Sequence, residues 1–331
     1  HSWSFNGSYV SPALELRAEN ALNTFSIVGD ASYNVNEERM GGGLTLRYGG
    51  LYPVLSLGAR FQDRSILNED TNFPDSLVIR RTSFNQMAIT AGATVPLNWI
   101  SGNFIHNFRA RLSYSALRLG QISTPESRLP DQLGSAGLLL SYQSLHRIAR
   151  RQVQPRFGLA ATLFYDRGMG RDITANRFLL RSNFYLPGLL QTHGVRLDFN
   201  FQQEPLTNAY QYPDGMRYVR GYNTPFSDRA TTLGINYQFP LLYPDIGALG
   251  IVYLQRIRVN AFYDTGNFYL NSIDASFPMR SSGAEFFFDT SWLNAQEISF
   301  GVQAAYLLER DLFNGPNASR LQWQLLFTGS F

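Results

Sequence analysis

Hydrophobic and polar residues alternate with period two along most of this chain, the spacing that sends successive side chains to opposite faces of an extended strand. From Gly194 to Gln203, Val195, Leu197, Phe199 and Phe201 form one face, and Arg196, Asp198, Asn200 and Gln202 form the other. From Phe104 to Ala116, Phe104, Phe108, Ala110, Leu112 and Tyr114 oppose Asn107, Arg109, Arg111, Ser113 and Ser115. From Ile298 to Leu308, Ile298, Phe300, Val302, Ala304, Tyr306 and Leu308 oppose Ser299, Gly301, Gln303 and Ala305. Read this way, the chain predicts strands near 2–10, 13–22, 24–34, 39–49, 52–66, 79–96, 102–119, 135–150, 155–167, 176–187 and 193–204. Five more follow near 231–243, 250–265, 282–291, 297–309 and 320–331. The total is about sixteen, with fourteen or eighteen left open, and suits membrane strands of ~9–11 spanning residues joined by modest loops.

A soluble antiparallel sandwich also alternates, so the pattern alone admits two architectures. Long strands, aromatics crowded at their ends and the rhythm of the connections favour an all-β, transmembrane antiparallel β-barrel. Long polar connections at 65–76, 121–134, 167–175, 205–230, 266–281 and 310–319 alternate with shorter ones such as 97–101, 152–154 and 243–248. With the long loops outside and the short turns in the periplasm, an even strand number places both termini in the periplasm.

Composition sharpens this choice. The 331 residues are 44% hydrophobic and 14% aromatic, and only 16% are charged, against a usual ~25%. Mean hydropathy is −0.18. A helical membrane protein is excluded, because the longest stretch without formal charge, 82–108, is broken by Gly92, Pro96 and Gly102, and a spanning helix needs ~20 consecutive, mostly apolar residues. The chain has no cysteine, which removes disulfides, thiol nucleophiles and Cys-ligated metal centres. All 28 basic residues are arginine and they are dispersed, so a net charge of +3 gives no nucleic-acid footprint.

Catalytic chemistry is not written here. His1, His106, His146 and His193 lack metal-ligand spacing, and no nucleophile elbow, P-loop or dinucleotide fingerprint occurs. Gly41-Gly42-Gly43 falls inside a strand pattern, where glycine marks a bend or bulge. The expectation is therefore no enzyme activity, no cofactor and no metal. The chain opens at His1 without Met or a signal peptide, which reads as the mature or trimmed piece of a longer protein.

Two signals go beyond the barrel pattern. In the last strand Leu321, Trp323, Leu325 and Phe327 alternate with Gln322, Gln324 and Thr328, and the chain ends at Phe331. Trp323, Phe327 and Phe331 resemble the C-terminal signal by which bacterial outer-membrane barrels are recognised for insertion. The longest connection carries Met216-Arg217-Tyr218-Val219-Arg220-Gly221-Tyr222. Downstream lie Leu233-Gly234-Ile235-Asn236-Tyr237-Gln238-Phe239-Pro240-Leu241 and Phe262-Tyr263-Asp264-Thr265-Gly266.

Together these segments resemble the BamA/TamA superfamily of outer-membrane assembly and translocation proteins, specifically over about residues 213–331. Asn236 stands where the family pattern is acidic, and Pro213-Asp214-Gly215 stands where it has paired glycines. The resemblance implies that the loop carrying Val219, Arg220, Gly221 and Tyr222 folds into the lumen. By the period-two count Asp264 faces the same lumen, where Arg220 and Asp264 can form a forked, charge-assisted pair. Residues 1–331 then form one outer-membrane barrel domain, with an upstream periplasmic domain, of the POTRA type in many relatives, missing from this chain. The implied function is insertion or translocation of proteins through a lateral seam between the first and last strands. Implied partners are outer-membrane lipids including lipopolysaccharide, client proteins, and periplasmic or lipoprotein partners. The alternative is a passive or anion-favouring pore, with Arg109, Arg111, Arg196, Arg256 and Arg258 lining the lumen.

Overall fold

The computed structural model describes residues 2–5, 13–22, 24–34, 37–69, 79–123, 131–149, 152–169, 175–223, 227–248, 251–292, 296–310 and 319–330. All strands among them belong to one antiparallel sheet. In chain order they are β1 (Ser2–Phe5), β2 (Ala13–Glu19), β3 (Phe25–Asn34), β4 (Arg39–Tyr48), β5 (Val54–Glu69), β6 (Ile79–Ser101), β7 (Phe104–Gly120), β8 (Gln132–His146) and β9 (Gly158–Met169). Then come β10 (Asn176–Pro187), β11 (Gly194–Gln203), β12 (Arg229–Leu242), β13 (Ile246–Ala248), β14 (Val252–Leu270), β15 (Ala275–Trp292), β16 (Gln296–Leu307) and β17 (Leu321–Ser330). The short β13 pairs with β14 alone, so sixteen strands build the wall. Each wall strand bonds to its neighbours in sequence, and β1 bonds to both β2 and β17. The ring of pairings is therefore closed among the described strands, with β1 joined to β17 at Ser4–Ser330 and Phe5–Gly329.

The burial pattern is inverted relative to a soluble protein. Leu57, Met87, Ile89, Leu112, Trp323 and Leu325 are all exposed, while Arg64, Gln86, Asn200, Asn236, Asn260, Glu285 and Gln303 are buried. Apolar residues outside and polar residues inside are the arrangement that hydrocarbon and an enclosed lumen together select. Aromatic groups gather on the outer surface near the short-turn end. Trp99 stacks on His106 with centroids 4.9 Å apart, His193 on Phe239 at 5.4 Å, and Phe300 meets Phe327 edge-on at 5.3 Å. Such rings suit the headgroup level of a bilayer.

Two sequence expectations change. The supposed long connection at 266–281 is continuous strand on both sides of a tight turn at 271–274, so β14 and β15 form one tall hairpin with eighteen register pairs. Gly41-Gly42-Gly43 marks no bulge; it pairs in unbroken register with β3 and β5. Of the first strand expected at 2–10, β1 is described over Ser2–Phe5, and residues 6–12 lie outside the described ones. Phe331 also lies outside them.

Candidate functional site

The connection after β11, described over 204–223, turns back into the lumen instead of standing in solvent. Leu206, Asn208, Tyr210, Tyr212, Met216, Val219 and Arg220 are all buried. A loop can be buried only if its polar groups find partners. Here both its ends and its tip do. At its base Asp228 accepts from the backbone N–H of Leu206 (2.8 Å) and of Asn271 (2.7 Å). Across the lumen Tyr210 and Tyr212 pack among Ile66, Phe84, Leu117, Leu119 and Leu133 on β5 to β8. Met216 and Val219 pack on the other side with Leu179, Ala230, Phe268 and Met279.

Arg220 sits at the centre of the second contact. Its Nε donates to Asp264 Oδ2 and its Nη2 to Asp264 Oδ1, both at 2.7 Å, the planar fork expected for this pair. Nη1 reaches Glu285 Oε1 at 3.0 Å, and Nη2 also donates to Asn236 Oδ1 at 2.8 Å. The guanidinium lies 3.6 Å from the centre of the Phe262 ring, a cation–π contact in a water-poor setting. Arg220, Asp264 and Glu285 are each under a tenth exposed. At that burial, removing one member strands the others at a cost of about 3–5 kcal/mol.

The flanking motif residues shape the approach. Gly221 has φ of +86°, and a Cβ there would come within 2.8 Å of Leu307 and 2.9 Å of Ala305; only glycine fits both the angle and the gap. Tyr222 donates its hydroxyl to the backbone carbonyls of Arg280 (2.9 Å) and Glu309 (3.0 Å) and accepts from the Glu309 N–H. Gly266 serves Val219: a Cβ at 266 would lie 2.7 Å from the Val219 side chain. The motif residues Val219, Arg220, Gly221, Tyr222, Asp264 and Gly266 thus meet in one place. Trp323 and Phe327 lie on the outer face of β17.

Sequence reasoning missed part of the assembly. Asn236, noted as a departure from an acidic position, links the loop to the wall by accepting from Arg220 and from Asn260 Nδ2 (3.0 Å) while donating to Asp198 Oδ2 (2.9 Å). Glu285 supplies the second negative charge. The first loop contact has its own buried cation, Arg64, which is fully enclosed. It donates to Glu37 Oε2 (2.7 Å), the Tyr210 hydroxyl (2.9 Å) and the Gln211 carbonyl (2.9 Å). Glu37 also accepts from the Asp214 N–H at 3.3 Å. The loop is therefore clamped to opposite walls.

Three of the arginines that the pore alternative places along the lumen are paired with carboxylates. Arg196 pairs with Asp198 at 2.8 Å, and Arg256 and Arg258 share Asp289 at 2.7 and 3.0 Å. Period-two placement pairs luminal charges as readily as it exposes them, because carboxylates two residues along the same strand, such as Asp198, or on the next strand, such as Asp289, occupy the same inner face.

Glu204, just past the end of β11, accepts from the Tyr212 N–H at 2.6 Å. Burial pushes its carboxyl up to about 8; Arg177 and Arg64 oppose the rise and Asp214 adds to it. A raised acid pKa favours the protonated group in the folded state. Its stabilisation is therefore complete below the ordinary carboxylate range and is lost as pH rises towards about 8. The melting temperature of the folded barrel in detergent should fall across that window, and Glu204→Gln should flatten the profile. An unchanged profile in the variant would remove Glu204 from the account.

No family model and no curated protein matches this sequence. Among solved structures the chain is similar to CdiB from Escherichia coli at 12% identity and TM-score 0.58, covering 100% of this chain and 62% of that one. It is similar to BamA from Haemophilus ducreyi lacking POTRA domains 1–3 at 13% identity and TM-score 0.59, covering 99% and 69%. CdiB from Acinetobacter baumannii aligns at 14% identity and TM-score 0.56, covering 99% and 58%. The chain thus spans less than two thirds of the length of either CdiB structure. The fold is that of a BamA/TamA-type barrel.

Proposed function

We propose that this barrel, with its BamA/TamA-type fold, resides in the bacterial outer membrane and inserts or translocates proteins there. The observation that carries the reading is the infolded loop held by Arg220, Asp264 and Glu285. An open passive pore gains nothing from a loop clamped across its own lumen. A machine that must hold a wall in one shape, and release it, does. No covalent step is needed: a client strand adds to a sheet edge by backbone hydrogen bonding, and that edge comes from the junction of β1 and β17. Trp323, Phe327 and Phe331 serve the barrel's own insertion. Its partners in this reading are outer-membrane lipids including lipopolysaccharide, client proteins, and periplasmic or lipoprotein components of an assembly machine. A periplasmic domain upstream, of the POTRA type, would deliver the clients.

The test is reconstitution into lipid vesicles with an unfolded outer-membrane β-protein added outside. Faster acquisition of the client's heat-sensitive gel shift than in empty vesicles is the expected result. Large steady conductance with no effect on client folding or passage would replace this reading with the pore.

A further inference from the structure

One region of the lumen has cations without acids. Arg47 on β4 and Arg109 and Arg111 on β7 occupy inner-face positions, since Leu44, Tyr48, Leu112 and Tyr114 on the alternate positions are the exposed outer ones. Arg47 is the last residue but one of β4 before a short turn, and Arg109 and Arg111 lie in the half of β7 that begins at a short turn. None forms an ion pair with a carboxylate among the described residues, and Arg111 Nε is buried without a hydrogen-bond partner. Arg47 and Arg109 both act on Arg111 by charge repulsion. Between Arg47 and β7 the register places only Ser56 and Gly92 on the inner face, so nothing tall separates the charges. Arg47 and Arg109 are exposed although they point inwards, which makes this stretch of lumen open to water. Elsewhere in the lumen Arg60, Arg64, Arg177, Arg196, Arg220, Arg256 and Arg258 have carboxylate partners.

We propose that Arg47, Arg109 and Arg111 form a docking strip for an acidic polypeptide segment entering the lumen from the short-turn end. The spacing selects the partner. Arg109 and Arg111 are two residues apart on a strand, roughly 6.7 Å, the repeat at which an extended peptide presents side chains on one face. Three strand intervals separate the backbones of β4 and β7, roughly 14 Å, a width that several carboxylates of one extended segment can span. Carboxylates at alternate positions of an extended client reach all three guanidinium groups, each by charge-assisted hydrogen bonds. This inference rests on the reading that polypeptides enter the barrel.

The test measures binding and does not depend on client folding. A fluorescent peptide of alternating Glu and Thr is titrated against the purified barrel in neutral detergent at low salt, followed by anisotropy. Arg47→Gln, Arg109→Gln and Arg111→Gln together are expected to weaken binding by at least about tenfold. Removing the same charge from outside the lumen, with Arg118→Gln, Arg147→Gln and Arg229→Gln, is expected to leave it unchanged. Arg109→Gln alone, at an exposed position, should give a smaller loss and guards against misfolding of the triple variant. Equal weakening by the two triple variants would overturn the proposal. So would complete displacement of the peptide by inorganic phosphate at matched charge, which would mark a small-anion site. Binding that survives while vesicle insertion fails would refute the proposed function and leave the strip standing.

Discussion

Replacing Arg220 with alanine is expected to leave a folded, heat-modifiable barrel while lowering client insertion or passage by about tenfold or more. The barrel survives because its wall is held by backbone pairing, including the eighteen register pairs between β14 and β15. The loop does not survive in place. Without the guanidinium, Asp264 and Glu285 are left as two buried carboxylates, Asp264 keeping the backbone N–H of residue 220 (3.2 Å) and Glu285 the Asn260 amide (2.7 Å). That arrangement is relieved by taking up protons or water, and water enters by displacing the loop. Arg220→Lys should also fail in large part, since an ammonium cannot make the fork to Asp264 and reach Glu285 and Asn236 together. A double-mutant cycle of Arg220→Ala with Asp264→Asn should give a coupling of about 1–3 kcal/mol in barrel stability. Faster proteolysis within 205–223 in the single variants should accompany it. A coupling near zero, or full activity with Arg220→Ala, would show that the clamp is incidental.

The strands were legible because lipid outside and a polar lumen inside impose opposite demands on successive residues. That signal fades where the wall rises beyond the apolar band. At 266–281 the outward residues Asn267 and Ser276 are polar, and the stretch reads as loop although Phe268, Leu270 and Met279 continue the inner face. Asp264 was legible by counting outwards from Arg256 in steps of two. Glu285 was not, because Phe286, Phe287 and Phe288 follow it without interruption and hide which of them face lipid. The structure sends Phe286 and Phe288 outwards and keeps Phe287 in. Asn236 read as a loss because one side chain was weighed against one expected charge. In three dimensions the charge arrives from the next strands and the amide distributes hydrogen bonds between them. The contact of Arg64 with Glu37 and Tyr210 had no local signature at all, its partners lying 27 and 146 residues away in sequence. Glu37 reaches Arg64 from just before the adjacent β4, and Tyr210 reaches it only when the loop folds into the lumen.

Locking β1 to β17 is the second large effect expected. Among the described residues the two strands share the register pairs Ser4 with Ser330 and Phe5 with Gly329, whereas β16 and β17 share ten. A closed barrel protects every edge, so a machine that templates client strands must open somewhere, and fewer paired residues mean fewer hydrogen bonds to break at this junction. Cysteines introduced as Ser4→Cys with Ser330→Cys, or Phe5→Cys with Gly329→Cys, fall on facing residues of an antiparallel pair. Cα separations there of roughly 4.5–5.5 Å lie within disulfide range. The chain contains no other cysteine to compete. The oxidised variants should fold and shift on heating like the parent, yet lose at least about nine tenths of client insertion, with reductant restoring it. The same bridge placed within the long β14 and β15 hairpin, at Thr265 with Arg280, should leave insertion untouched and controls for oxidation itself. If the locked junction leaves insertion unchanged while the barrel conducts strongly, the wall has no gate at this junction and the protein is a pore.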